Sequence, residues 1–240
     1  MPRVFDVMGT TVSLRAGIDD AQFDRARAVF RDADARFSLY RPDSELSGIR
    51  DGTLRLADAS ADLREVYALA IEWRIATDGA FTPHRPDGVI DLDGVVKAWA
   101  MERAARELGT DWCLNVGGDV LVSGVQPDGA PWSLGIVDPF DRTALLATVE
   151  LAGSRRAAAT SGSAERGDHI WTQGAAPQFV QVTVLADDIL TVDVLATAII
   201  SGGATTLDAV TDRFAVDVLV VDRSGELLAT PSLLPALLSA

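Results

Sequence analysis

Residues 112–124 read WCLNVGGDVLVSG. Two short apolar runs flank Asn115-Val116-Gly117-Gly118-Asp119. This pattern predicts two antiparallel strands joined by a tight turn, since glycine tolerates the positive φ that such turns require. The same glycines let backbone amides approach a ligand closely, so a plain hairpin and a ligand-cradling turn are both open.

More strands follow. WSLGIV (132–137), LLATVEL (145–151), FVQVTVL (179–185) and VDVLVVD (216–222) all read as extended. The first half of the chain reads differently. In AQFDRARAVFRDADARF (21–37), Phe23, Ala26, Phe30, Ala33 and Phe37 fall on one helical stripe. ADLREVYALAIEWRIAT (61–77) repeats the pattern with Leu63, Val66, Tyr67 and Ala70, and GVVKAWAMERAAREL (94–108) is a third helix, stopped by Gly109. DDILTVDVLATAIISGG (187–203) predicts a helix capped near Asp187 or Asp188 and ended by Gly202, with a short helix near TLDAVTDRF (206–214). Strands are grouped rather than alternating with helices, which favours α+β over a doubly wound sheet. No linker or repeat divides the sequence, so a single domain over 1–240 is expected.

Composition narrows the function. The 240 residues are 48% hydrophobic, enough for a large core. A formal charge of −14 repels nucleic acid and anionic lipid, so neither is an expected partner. An anionic ligand then needs a local device, such as a metal ion or backbone amides. The single cysteine, Cys113, cannot form an intramolecular disulfide and suits a reducing compartment. MPRVFDVMGT carries no apolar signal core, and no segment is read as reaching the roughly 18 apolar residues of a membrane span. The expected location is cytoplasmic.

Within 191–200, TVDVLATAII, an aspartate and a threonine stand four residues apart in an apolar helix. Asp193 and Thr197 therefore share a face. A carboxylate among valines and leucines is costly unless compensated, and two oxygen donors one turn apart suit a hard cation such as Mg²⁺. The alternative is a half-buried helix with Asp193 on its wet side. RAAATSGSAERGDHI (156–170) places Thr160, Ser161 and Gly162 after a strand, then His169. His84, in FTPHRPDG, reads as a surface-loop residue. In IDLDGVVKAW, Asp91 or Asp93 can cap the following helix, while Lys97 can reach a phosphate or pair with an acid. GxGxxG, GxxxxGK and GxSxG patterns are absent.

In this order, the pieces resemble the ApbE-type FAD:protein FMN transferases. The resemblance is carried by MGTTVSL (8–14), FSLYRPDSELSGIR (37–50), TDGAFTP (77–83), IDLDGVVKAWAMERAA (90–105), LNVGGDVLVSG (114–124), AATSGSAERGDHI (158–170) and VDVLATAIISGG (192–203). It implies a T-fold-like α+β architecture of two closely fused lobes with the flavin site between them. It implies Mg²⁺-dependent transfer of FMN from FAD to a threonine or serine of an acceptor protein, with release of AMP. By position it gives Asp193, Thr197 and a main-chain oxygen near Gly94 to the metal, and His169 to the general base. It gives Met8, Tyr40, Ala80, Phe81, Thr82, Asp91, Lys97 and Ile170 to the flavin region. Gly117, Gly118, Thr160 and Ser161 join that group as residues of the matching segments. The sequence departs from the family pattern at Thr82, where aspartate is usual, at Ala98, where glycine is, and in WTQGAAP (171–177). An FAD pyrophosphatase and a non-catalytic flavin carrier are the competing functions.

Overall fold

The computed structural model describes residues 2–162 and 178–237. Its centre is an eight-stranded sheet of antiparallel pairs. Strands β1 (Arg3–Val7), β2 (Thr10–Arg15), β3 (Trp112–Val116), β4 (Asp119–Ser123), β7 (Ala157–Gly162), β8 (Phe179–Ala186), β9 (Asp217–Asp222) and β10 (Leu227–Ala229) lie side by side in that order. A separate hairpin, β5 (Trp132–Val137) with β6 (Leu145–Leu151), is inserted between β4 and β7. The expected α+β class is observed, and one continuous sheet joins the two halves of the chain.

Alternation along the strands sorts side chains to two faces. Leu121, Ala157, Ala159, Val182, Val184, Val218 and Val220 belong to the main core, shared with the helices. Their neighbours Val120, Val122, Ala158, Leu185 and Leu219 point the other way, onto Trp132, Ile136, Val149 and Leu151 of the hairpin. The sheet is thus the middle layer of three.

The helices form as their sequences dictate. Helix α1 (Asp20–Phe37) opens with a capping box: Gln22 N–H donates to Asp19 Oδ1 at 2.7 Å, and Asp19 N–H to Gln22 Oε1 at 3.0 Å. Its stripe buries Ala26, Phe30, Ala33 and Phe37. Helix α2 (Glu45–Arg50) follows the YRPDS turn. Ser44 caps it, accepting from Ser47 N–H at 3.0 Å while donating to Ser38 O at 2.7 Å. Helix α3 (Ala61–Ala76) is tied to α1 and α2 by Arg36, which pairs with Asp62 and with Glu45 at 3.4 Å. Helix α4 (Asp93–Ala105) is buried without a break from Val95 to Met101, including Lys97.

Helix α5 (Ile189–Arg213) is capped by Asp188, as expected, but it runs past Gly202. Gly203 takes a left-handed φ of 66° and kinks the helix rather than ending it. The expected short helix near 206–214 is its second half. At 25 residues α5 is long and apolar enough to cross a membrane, which corrects the expectation that no segment is. Its packing supplies another reason for that composition. Val192, Val194–Ala196 and Ala198–Ile200 are buried in the main core, against the sheet and α4.

Two more expectations are corrected. Thr160–Gly162 lie within β7, not after a strand. His84 is half-buried, with Nε2 3.1 Å from Tyr67 Oη.

Candidate active site

Four elements converge on a buried charged cluster. Lys97 extends from α4, Asp119 from β4, Ser161 from β7, and Asp193 with Thr197 from α5. Lys97 Nζ forms an ion pair with Asp119 Oδ2 and lies 3.1 Å from Asp193 Oδ1. The residues are 6%, 1% and 3% exposed respectively. These exposures decide the open question about Asp193: it is on the buried side of α5, not the wet side. Thr197 Oγ1 lies 3.3 Å from Ser161 Oγ.

The β3–β4 turn sets this up. Gly117 and Gly118 take φ values of 60° and 101°, and the register pairs Val116 with Asp119. Asp119 is therefore the first residue of β4, on the same face as Leu121, under α4 and α5. Its Oδ1 accepts from Thr160 N–H at 3.2 Å. A Cβ on Gly117 would come within 2.5 Å of Thr10 Oγ1, so the neighbouring β2 also requires glycine there. Met8 and Gly9, both at positive φ, form the β1–β2 turn at this end of the sheet.

The expected flavin residues divide. Phe81 is buried against Gly94, in the first turn of α4, and Ala80 lies beside Gly202 of α5. Asp91 Oδ1 accepts from Asp93 N–H at 3.1 Å, closing the turn before α4. Thr82 Oγ1 accepts from His84 N–H at 3.3 Å, so the hydroxyl that replaces the usual aspartate has a local backbone partner. Tyr40 is 77% exposed beyond α1. His169 and Ile170 lie outside the described residues.

Thr160 and Ser161 do not act together. Adjacent strand residues face opposite ways. Ser161 meets Thr197 on the helix side. The Thr160 hydroxyl meets Thr183 at 2.9 Å on the hairpin side, the face of Ala158 and Leu185. Only the Thr160 amide serves the cluster. Lys97 likewise takes the acid-pairing role of its two possible ones. Asp119 was not among the expected site residues. The signal lay in the quoted Gly-Gly-Asp, where the aspartate reads as turn chemistry until register places it inside.

The donor set can be tested against a cation. Among the described residues no cluster of three or more histidines, cysteines or acids stands at metal-binding geometry. What is present is a buried carboxylate with two neighbouring hydroxyls. Among Lys97, Asp119 and Asp193, two negative charges face one positive charge. Hard oxygens and a negative balance fit Mg²⁺, which takes few protein ligands and completes its shell with phosphate and water. They do not suit a thiophilic metal. The Cys113 thiol is pushed up to about 11 by burial and supplies no thiolate.

The three-layer fold is shared with known proteins. The ApbE protein of Thermotoga maritima superposes with a TM-score of 0.80 at 18% identity, covering 98% of each chain. The flavin transferase ApbE of Vibrio cholerae gives 0.77 at 22%, again over 98% of each. The Pseudomonas stutzeri flavinyl transferase ApbE gives 0.78 at 20%, over 100% of this chain and 98% of that one. The FAD:protein FMN transferase of Haemophilus influenzae is 22% identical over 55% of this chain, and the match spans 57% of that protein's length. The ApbE family pattern matches residues 8–85 and 82–220. The chain belongs to the ApbE family.

Proposed function

We propose that this protein is an Mg²⁺-dependent FAD:protein FMN transferase. The observation that carries the reading is Asp193, a carboxylate 3% exposed, one helical turn from Thr197 in a helix otherwise made for burial. Family membership supplies the flavin chemistry, and the residue types agree with it.

Asp193 and Thr197 would hold the cation, with a main-chain oxygen near Gly94 as the third ligand that the family resemblance implies. Bound there, Mg²⁺ supplies charge neutralisation at the pyrophosphate of FAD. The chain's own groups do the rest. Phe81 and Ala80 form an apolar wall beside α4 and α5, and Gly118, with open space beside it, leaves backbone approach open at the end of the sheet. An acceptor threonine or serine oxygen bonds to the FMN phosphorus. The bond from that phosphorus to the bridging oxygen breaks, and AMP leaves with the electron pair. The acceptor's proton passes to a base, the role the resemblance gives to His169. Phosphoryl transfer of this kind depends on positioning and charge rather than covalent help.

The test is one denaturing gel. The protein is incubated with FAD, Mg²⁺ and a candidate acceptor, and AMP is measured in parallel. Flavin fluorescence on the acceptor band with matching AMP is the expected result. AMP without a fluorescent band would establish a pyrophosphatase. Retained flavin with neither product would establish a carrier.

A further inference from the structure

Asp119 has no part in that chemistry, yet it is among the most buried charges of the described residues, at 1% exposure. The double-glycine turn and the β4 register deliver it under Lys97. One oxygen accepts from Thr160 N–H, and the other pairs with the Lys97 ammonium. The ammonium bridges both acids: it pairs with Asp119 Oδ2 and stands 3.1 Å from Asp193 Oδ1.

A buried ammonium requires a counter-charge, because desolvation otherwise forces it to neutralise or to move. Asp119 supplies that charge from a strand, locked by a backbone amide. Asp193 then need not supply it alone. Without Asp119, the ammonium would fall to Asp193, the other carboxylate within its reach among the described contacts. It would neutralise Asp193 and compete for the oxygens that a divalent cation needs.

We propose that Asp119 is a positioning residue: it shares the Lys97 ammonium with Asp193, so that Asp193 is not its sole counter-charge and stays available as a cation ligand. The inference rests on the reading of Asp193 as a metal ligand.

The experiment is a calorimetric titration of the full chain with Mn²⁺ alone, without FAD. Asp119→Asn keeps the side-chain volume and an oxygen that can accept from the Thr160 amide. It is expected to weaken Mn²⁺ binding at least about tenfold, the least that one close unit charge commonly contributes. Adding Lys97→Met removes the competing ammonium, and the double variant is expected to bind more tightly than Asp119→Asn by a similar factor. Lys97→Met alone is expected to bind Mn²⁺ more tightly than wild type, which keeps the test alive if Asp119→Asn does not fold. Wild-type affinity in Asp119→Asn, no recovery in the double variant, or weaker binding in Lys97→Met would overturn the proposal. Asp193→Ala separates the two levels. If it binds Mn²⁺ as wild type does, the metal assignment itself fails and the inference with it. If it loses binding while Asp119→Asn does not, only the role of Asp119 is overturned.

Discussion

The ring of Phe81 lies where a side chain on Gly94 would begin: a Cβ there would sit 2.7 Å from Cε2. Gly94 is in the first turn of α4 and has no positive φ to excuse it. It is glycine because of the ring. Gly94→Ala is expected to destabilise by about 1–3 kcal/mol through overpacking. In a Phe81→Ala background the same change is expected to be neutral, or to stabilise by up to about 1 kcal/mol, because alanine is the better helix former. A double-mutant cycle in denaturant measures this coupling. Additive effects would show that Phe81 does not set the requirement.

The sequence made the layers legible but not the faces. Strands β3, β4, β5, β6, β8 and β9 stood out through aliphatic and β-branched residues. β7 was read as ending before Thr160, because TSG has little strand character of its own and is held extended by pairing with β8. Helix α5 was legible to its kink, where consecutive glycines read as a stop. In the structure the Gln178 side chain accepts from Ala204 N–H at 2.7 Å and restarts the helix. The Asp193–Thr197 pair was legible because helical spacing is local. The Thr160–Ser161 split and the inward turn of Asp119 were not, because strand register is set by partners distant in sequence.

Glu102 of α4 carries a second expectation. Its carboxyl is raised above its ordinary range by burial first, then by the charge of Asp188 and a hydrogen bond to it. A raised acid binds more protons folded than unfolded, so its contribution to stability is present below its ordinary value of 4.5 and lost as pH rises through the folded value. At pH 7 the two carboxylates therefore oppose folding. Glu102→Gln keeps a hydrogen-bond donor toward Asp188 and removes the repulsion. It is expected to raise the melting temperature at pH 7, with the gain shrinking as pH falls toward 4.5. A variant that melts below wild type at pH 7 would refute this.

His84 should act in the opposite sense. Burial, then the nearby Arg74 charge, lowers its pKa from an ordinary 6.5. Between the folded value and 6.5 the unfolded chain binds more protons, so stability rises with pH across that window. The contribution is full above 6.5 and is lost as pH falls below it. Neutral His84 can accept from Tyr67 Oη, and the imidazolium cannot. The stability difference between wild type and His84→Gln is expected to narrow from pH 7.5 to pH 5.5. FMN transfer by the variant is expected to stay near wild type. A difference independent of pH would remove His84 as its source.

Asp193 offers the sharpest contrast between stability and function. Asp193→Ala takes one carboxylate from the buried cluster, and Lys97 keeps its ion pair with Asp119. The remaining pair is neutral in sum, so the usual penalty of about 3–5 kcal/mol for stranding a buried charge does not apply. The metal-free variant is expected to melt at or above the wild-type temperature. Wild type is expected to gain stability as Mg²⁺ rises, since a ligand that binds only the folded state stabilises it by mass action. The variant should lose that gain, and with it FAD turnover at limiting Mg²⁺. Thermal melts with and without Mg²⁺, run beside AMP release, test both halves. A variant that still turns over FAD normally at limiting Mg²⁺ would show that the cation sits elsewhere. One that unfolds without metal would show that Asp193 serves the fold, because Lys97 then depends on it more than on Asp119.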